Sequence, residues 1–298
     1  MDLKPALSIT FGECVETHAG MQQTGHIRDV GYTVQELRDI NNKYKDCCEL
    51  IMLSNYLPVQ HRNGNEAAVL VIRNGLQLFG IDKNKLYQEQ INLNPDTKAY
   101  MRGKVVNKQA RYNLCYADFY QQADYESGKG TIIDFKQVSE LNKLRSNLST
   151  ILGYKSKELN AELNVYYDIN KCGIGFHGDT ERKIVICVRL GSNNPLQYQW
   201  FIRSRPICKC GLPINAEDKY DTCKCFKPVM ERVNLELNDG DMYIMSDKAV
   251  GFDWKRSSIY TLRHAAGCNK YLQTKYDKDG QVAIVNGKRI NLNLKFKS

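Results

Sequence analysis

Residues 162–191 read ELNVYYDINKCGIGFHGDTERKIVICVRLG, and the rest of the chain is interpreted outward from this stretch. It is rich in β-branched and aromatic residues and carries the triplet His177-Gly178-Asp179. In a strand, residues two apart point to the same face, so His177 and Asp179 project together. An imidazole and a carboxylate set side by side can hold two adjacent positions of a divalent metal. One more histidine from a distant strand makes a 2-His-1-carboxylate set, which leaves three positions open. An isolated H-x-D triplet recurs by chance, so its surroundings carry the argument.

Upstream lies Asn164-Val165-Tyr166. Downstream lies the apolar strand Ile184–Val188, ending in Arg189-Leu190-Gly191. Then come Gly240-Asp241 followed by MYIM, and Tyr260-Thr261-Leu262-Arg263-His264-Ala265-Ala266-Gly267. In this order the segments resemble the AlkB branch of the 2-oxoglutarate/Fe(II) dioxygenases, which reads N-x-Y, H-x-D, a strand ending S-L-G, a G-D strand and a last strand ending T-F-R. The resemblance covers residues 100–270. It implies an α+β fold, a double-stranded β-helix (jelly-roll) barrel with flanking helices and an N-terminal α+β extension. It also implies Fe(II) and 2-oxoglutarate as cofactors, O2 as co-substrate, and oxidative demethylation of alkylated bases in DNA or RNA, a repair reaction.

Carried over residue by residue, the resemblance gives Asn164 and Tyr166 to 2-oxoglutarate, with Tyr167 as a competing candidate. Arg263 grips its carboxylate by a bidentate pair. The family places its second iron-binding histidine a dozen or more residues before that arginine, and here Met245–Arg256 contains none. Of the five histidines, His18, His26, His61, His177 and His264, only His264 follows the triplet. The iron set is therefore read as His177, Asp179 and His264, with Asp253 as the alternative third ligand. Neighbouring residues on a strand face opposite sides, so His264 and Arg263 serve together only across a bulge. Otherwise a later cation such as Lys275 holds the co-substrate. Residues 103–125 interleave Lys104, Lys108 and Arg111 with Tyr112, Tyr116, Phe119 and Tyr120. The family has a substrate lid here, which makes Arg111, Tyr112 and Tyr116 the substrate-binding candidates, with aromatic faces to stack a base and cations to hold phosphates.

Composition sets outer bounds. The chain has 298 residues, 42% of them hydrophobic, enough for one large core or two modest ones. No apolar run reaches the length of a bilayer span, so no membrane role is expected. The start of the chain lacks the pattern of a signal peptide, which points to an intracellular protein, cytoplasmic or nuclear. The net charge of +9 favours a polyanionic partner such as nucleic acid. A monomer is expected. The eleven cysteines are an odd number, which suggests reduced thiols rather than a disulfide framework. Four of them form two close pairs, Cys208-x-Cys210 and Cys223-x-Cys225, in a Cys-rich insertion at 207–226. Two thiolate pairs bracketing a polar loop suit a tetrahedral Zn2+ site.

Residues 1–100 read as the α+β extension and 101–298 as the barrel. Thr33 caps a helix with Glu36 three residues on. AAVLVI at 67–72 reads as a buried strand. Val138, Leu141, Leu144, Leu148 and Leu152 fall on one face of a helix. Gln281–Ser298 reads as a hairpin turning at Asn286-Gly287. Besides base demethylation, two other readings fit the pattern. One is hydroxylation of a pyrimidine methyl group or a protein side chain. The other is a catalytically degenerate barrel that only binds nucleic acid.

Overall fold

In the computed structural model, residues 4–214, 222–225 and 231–272 are described, together with the backbone strands at 274–276, 282–285 and 288–289. In chain order, the strands of the two main sheets are Ala6–Gly12 (β1), Cys48–Met52 (β2), Ala68–Ile72 (β3), Tyr112–Ala117 (β4), Ile132–Asp134 (β5), Asn160–Tyr166 (β6), Gly173–His177 (β7), Ile186–Gly191 (β8), Leu196–Ile202 (β9), Arg205–Pro206 (β10), Arg232–Leu235 (β11), Met242–Met245 (β12) and Thr261–Gly267 (β13). The larger sheet runs β2-β3-β12-β8-β1-β6-β4-β5, and the smaller β7-β13-β9-β10 with β11 also on β9. Every pairing is antiparallel except β4 with β5.

Alternation along the strands sorts side chains into two environments. Leu7, Ile9 and Phe11 of β1, Leu163 of β6, and Ile186 and Val188 of β8 join one apolar cluster with the helix Ser139–Leu152. That helix buries Leu141, Leu144, Leu148 and Leu152, each contributing about 1.5–3 kcal/mol relative to exposure. The helix Val34–Lys43 starts with a capping box: Thr33 accepts from the Glu36 amide, and Glu36 accepts from the Thr33 amide. On the opposite face of the larger sheet, Val69, Val71, Cys187, Tyr243 and Met245 pack against Tyr198, Trp200, Leu262 and Ala266 of the smaller sheet. The protein is thus an α+β, strand-rich assembly of helices, large sheet and small sheet.

The stretch 1–100 is continuous with this assembly. β1 lies between β6 and β8, and β3 pairs with β12, so residues expected in an extension supply inner strands of the larger sheet. The Gly-Asp of residues 240–241 has a structural job. Asp241 accepts from the Asn74 and Asn238 amides and pairs with Arg73 at 2.8 Å. At the far end, Val282–Val285 pairs antiparallel with Lys288–Arg289, and the Asn286-Gly287 turn between them lies outside the described residues. Among the described residues, no helix is long and apolar enough to cross a membrane.

Candidate metal centre

His177 ends β7, and β7 pairs with β13 so that His177 stands opposite His264. The register shifts between Ile174 and His177, a bulge at the strand end that carries the triplet. Asp179 follows in the loop, where its amide donates to the Val250 carbonyl at 3.0 Å. The ligand atoms of His177, Asp179 and His264 all lie within 4.8 Å of one another. Asp179 Oδ1 is 3.5 Å from His177 Nε2 and 3.6 Å from His264 Nε2. Gly178 is small for a reason: a Cβ there would sit 2.1 Å from the Gly251 carbonyl oxygen and 2.8 Å from Trp254.

The surroundings orient these groups. His177 Nδ1 lies 2.9 Å from the Gly175 carbonyl, which fixes the ring and leaves Nε2 for the centre. Burial holds the His177 imidazole near 3, and the neighbouring His264 pushes the same way. Burial acts to raise the Asp179 carboxyl, but His264 and Arg182 together hold it well below the usual carboxylate range. A neutral imidazole beside an ionised carboxylate is the metal-ligating combination. Arg182 Nε lies 3.5 Å from Asp179 Oδ2, on the oxygen away from the histidines.

From Arg182 a polar chain runs along the inner face of β6. Arg182 donates to Glu162 at 2.9 Å, Asn164 donates to Glu162 at 3.1 Å, and Arg111 donates to Asn164 at 2.5 Å. Asn164, Tyr166 and Arg111 line a cavity of about 1450 Å³ together with the three metal-ligating residues. Ser8, Thr10 and His18 line it too, so residues 1–100 contribute to its wall.

Four expectations change. Along β13 the register against β9 is regular, with Tyr198 opposite His264 and Gln199 opposite Arg263. No bulge reverses the alternation there, so with His264 facing the centre Arg263 leaves β13 from the opposite face, and its side chain reaches the margin of the same cavity. Its guanidinium lies over Phe201 at 4.2 Å and Trp254 at 5.0 Å and donates to the Trp254 carbonyl. Asp253 falls outside the converging set of His177, Asp179 and His264, and Lys248 holds its Oδ2 at 2.7 Å. Tyr112 and Tyr116 face the helix layer: Tyr116 is fully buried and donates to Gln90, and Tyr112 stacks on Tyr167 at 4.4 Å. Tyr167 donates to the Gln109 carbonyl, which leaves Tyr166 on the inner face. The Lys275 side chain lies outside the described residues.

The sequence reading missed Arg189. It sits on β8 beside Cys187, on the inner face, buried and lining the cavity. Its Nη1 donates to Ser8 Oγ, and its Nε has no partner. Among the described residues no carboxylate pairs with it at salt-bridge distance. A lone arginine at an inward position of the otherwise apolar run 184–190 was the available signal. Tyr198 OH and His264 Nδ1 are likewise buried without partners.

The second cysteine group also converges, with Cys208, Cys210, Cys223 and Cys225 placing their sulfurs within 4.8 Å of one another.

No protein-family model matches the chain. The chain is 41% identical over 276 residues to a protein of Acanthamoeba polyphaga mimivirus described as "Uncharacterized protein R156", across 91% of this chain and 99% of that one.

Proposed function

This chain belongs to the family of the mimivirus protein R156, and we propose that it is a 2-oxoglutarate- and Fe(II)-dependent dioxygenase acting on alkylated nucleobases. One observation carries the reading: two imidazoles and one carboxylate converge between two packed antiparallel sheets, at a cavity that also contains a buried, carboxylate-free arginine. Two facing sheets with the metal set between them are what a double-stranded β-helix supplies.

The residues present fit the implied groups. Two nitrogens and one oxygen suit a facial Fe(II) site and leave positions open. The Arg189 Nε and the Tyr198 hydroxyl are orphaned donors. A buried polar group without a partner costs about 1–3 kcal/mol, and a carboxylate bound in the cavity would satisfy the Arg189 Nε. Asn164 and Tyr166 add an amide and a phenol on the same wall. When bound, Fe(II) with 2-oxoglutarate and O2 supplies a C–H hydroxylation, after which an N-hydroxymethyl group leaves the base as an aldehyde.

The chain's own residues position and shield. His177, Asp179 and His264 would hold the metal. Arg182 occupies the outer oxygen of Asp179 and keeps the inner one turned to the centre. Arg189 would fix the far carboxylate of the co-substrate by its forked donors. The cavity exceeds the roughly 300–1,000 Å³ of a small-molecule pocket, which leaves room for a base beside the co-substrate. Trp254, Phe176 and Tyr271 are among its aromatic surfaces, and Arg205, Lys255 and Lys270 also line it. Aromatic faces and cations are what an extruded nucleotide needs.

The test is anaerobic addition of Fe(II) and 2-oxoglutarate, followed by succinate assay on methylated oligonucleotides. The visible charge-transfer band of the chelate is expected in the wild type and absent from His177→Ala, Asp179→Ala and His264→Ala. A wild type with neither band nor succinate would overturn the proposal. Succinate formed with a hydroxylated pyrimidine or peptide, and no demethylated base, would move the activity to a sister hydroxylation.

A further inference from the structure

The four cysteines of the hairpin beyond β10 lie outside the chemistry above and form a second constellation. The repeat is visible in the sequence: Cys208-Lys209-Cys210-Gly211 and Cys223-Lys224-Cys225. The first pair sits on a tight turn. The Gly211 amide donates to the Cys208 carbonyl at 2.8 Å, and the Cys208 amide donates to the Leu212 carbonyl at 2.9 Å. Gly211 closes the turn with a φ of +88°, a conformation that a residue with a Cβ adopts only under strain. The second pair is brought to the first by the Cys223 amide, which donates to the Pro213 carbonyl at 3.0 Å. The Cys225 amide donates to Cys223 Sγ at 3.4 Å. An N–H aimed at sulfur stabilises a thiolate more than a thiol.

All eleven cysteines are unbridged. Four sulfurs within 4.8 Å of one another are therefore either four crowded thiols or a ligand set. Tetrahedral Zn–S bonds of about 2.3 Å put the sulfurs about 3.8 Å apart, so a small contraction closes the cage. Cys208 is buried, whereas Cys210 and Cys225 are exposed, the arrangement of a site with one side against the fold and one at the surface. Soft thiolate ligands select zinc over the harder ions that suit the His-Asp-His set.

We propose that Cys208, Cys210, Cys223 and Cys225 form a structural zinc site that anchors the cavity wall. The link to the wall is direct in the chain. β10 pairs with β9 as Phe201 with Pro206 and Ile202 with Arg205, closed by Arg203 and Ser204, both in the left-handed region. Phe201, Ser204, Arg205 and Pro206 all line the cavity, and Cys208 follows two residues later. β10 has only two residues, too few to hold its register through ladder bonds alone. The Ile214 amide donates to the Pro206 carbonyl, and Tyr260 OH donates to the Gly211 carbonyl. A cross-link at four sulfurs turns these few bonds into a fixed hairpin. A closed four-thiolate shell has no open position, so this metal takes no part in chemistry.

The experiment is metal analysis of the full chain purified without added metal. Expected are one zinc per chain, its release on titration of the thiols with a mercurial, and at least a tenfold loss of zinc affinity in a Cys210→Ser/Cys225→Ser variant, which changes only exposed sulfurs. A His177→Ala/Asp179→Ala variant should keep this zinc, which separates the site from the iron reading. Substitution with Co2+ should give the visible bands of tetrahedral cobalt thiolate. In the serine variant, hydrogen exchange at residues 201–214 should rise about tenfold. Zinc absent from the wild type, disulfides in the intact mass, or zinc lost with the His-Asp variant and kept by the serine variant would each overturn the site. Zinc lost without faster exchange at 201–214 would overturn the anchoring role.

Discussion

Replacing Arg189 with methionine is expected to weaken 2-oxoglutarate binding while leaving the free protein as stable as before, or more stable. Arg189 is buried, its Nε is unpartnered, and its guanidinium meets Ser8 Oγ, the Tyr166 hydroxyl and the Tyr243 ring at 5.7 Å. With no ligand bound, the chain holds a cation whose charge no described carboxylate offsets. Removing such a charge for an apolar group of similar volume is neutral or stabilising by about 1–4 kcal/mol. Loss of the Ser8 and Tyr166 hydrogen bonds takes back about 1 kcal/mol each. Binding moves the other way. Two charge-assisted hydrogen bonds to a carboxylate contribute about 1.5–3 kcal/mol each, so losing both raises Kd about 10²- to 10⁴-fold. Urea unfolding of the free protein gives the first quantity, and titration of the anaerobic Fe(II) chelate band gives the second. Arg189→Lys keeps the charge without the fork and should fall between. Arg263→Met is the comparison: its guanidinium reaches the cavity margin but is engaged by the Phe201 and Trp254 rings and the Trp254 carbonyl, so its Kd should stay within about threefold. An Arg189→Met protein that loses several kcal/mol of stability yet binds 2-oxoglutarate normally would refute the reasoning, because the arginine would then be a core group. So would a large binding defect in Arg263→Met alone.

Gly178→Ala forces a methyl group against the Gly251 carbonyl and Trp254, so it should destabilise by about 1–3 kcal/mol and shift Asp179 enough to lower metal affinity at least tenfold by titration. Burial lowers the Lys108 ammonium from 10.5 to about 8, against the pull of Asp96 and Glu162. Below pH 8 both folded and unfolded chains hold that proton and the burial penalty is present; between about 8 and 10.5 the unfolded chain binds more protons, so stability rises with pH by up to about 3 kcal/mol. The wild-type minus Lys108→Met difference in denaturant stability should show that rise, and a flat difference would remove the assignment. Tyr116→Phe leaves Gln90 unsatisfied and should cost about 1–2 kcal/mol of stability with turnover unchanged; a turnover defect would return Tyr116 to the substrate.

What could be read from sequence follows from which signals are local. The H-x-D pair needs only the two-residue period of a strand, and Asn164 and Tyr166 share that period on β6. The capping box at Thr33 and the leucine spacing of 141–152 are equally local. His264 was reached by elimination among five histidines, and the pairing of β7 with β13 brings it opposite His177. Arg263 was drawn in by a motif end, T-x-R, although alternation already set it against His264. Arg189 went unmarked because a strand-ending arginine looks the same whether it points in or out until the faces of β8 are known. Tyr112 and Tyr116 were misplaced by one pleat: their face of β4 belongs to the helices, and Asn113 takes the inward position. The role of residues 1–100 was hidden because their partners lie far along the chain.

That distance matters during synthesis. β1 is made well before its two partners, residues 160–166 and 186–191. At roughly 5–20 residues per second, β1 waits about 8–30 s with both edges bare. ALSITFG is short, apolar, uncharged and free of proline, the character of a segment that adheres to its own kind. The nascent chain therefore depends on speed of completion or on an escort. Slowed translation upstream of codon 191, more than any change in the finished protein, is where its yield would be lost to aggregates.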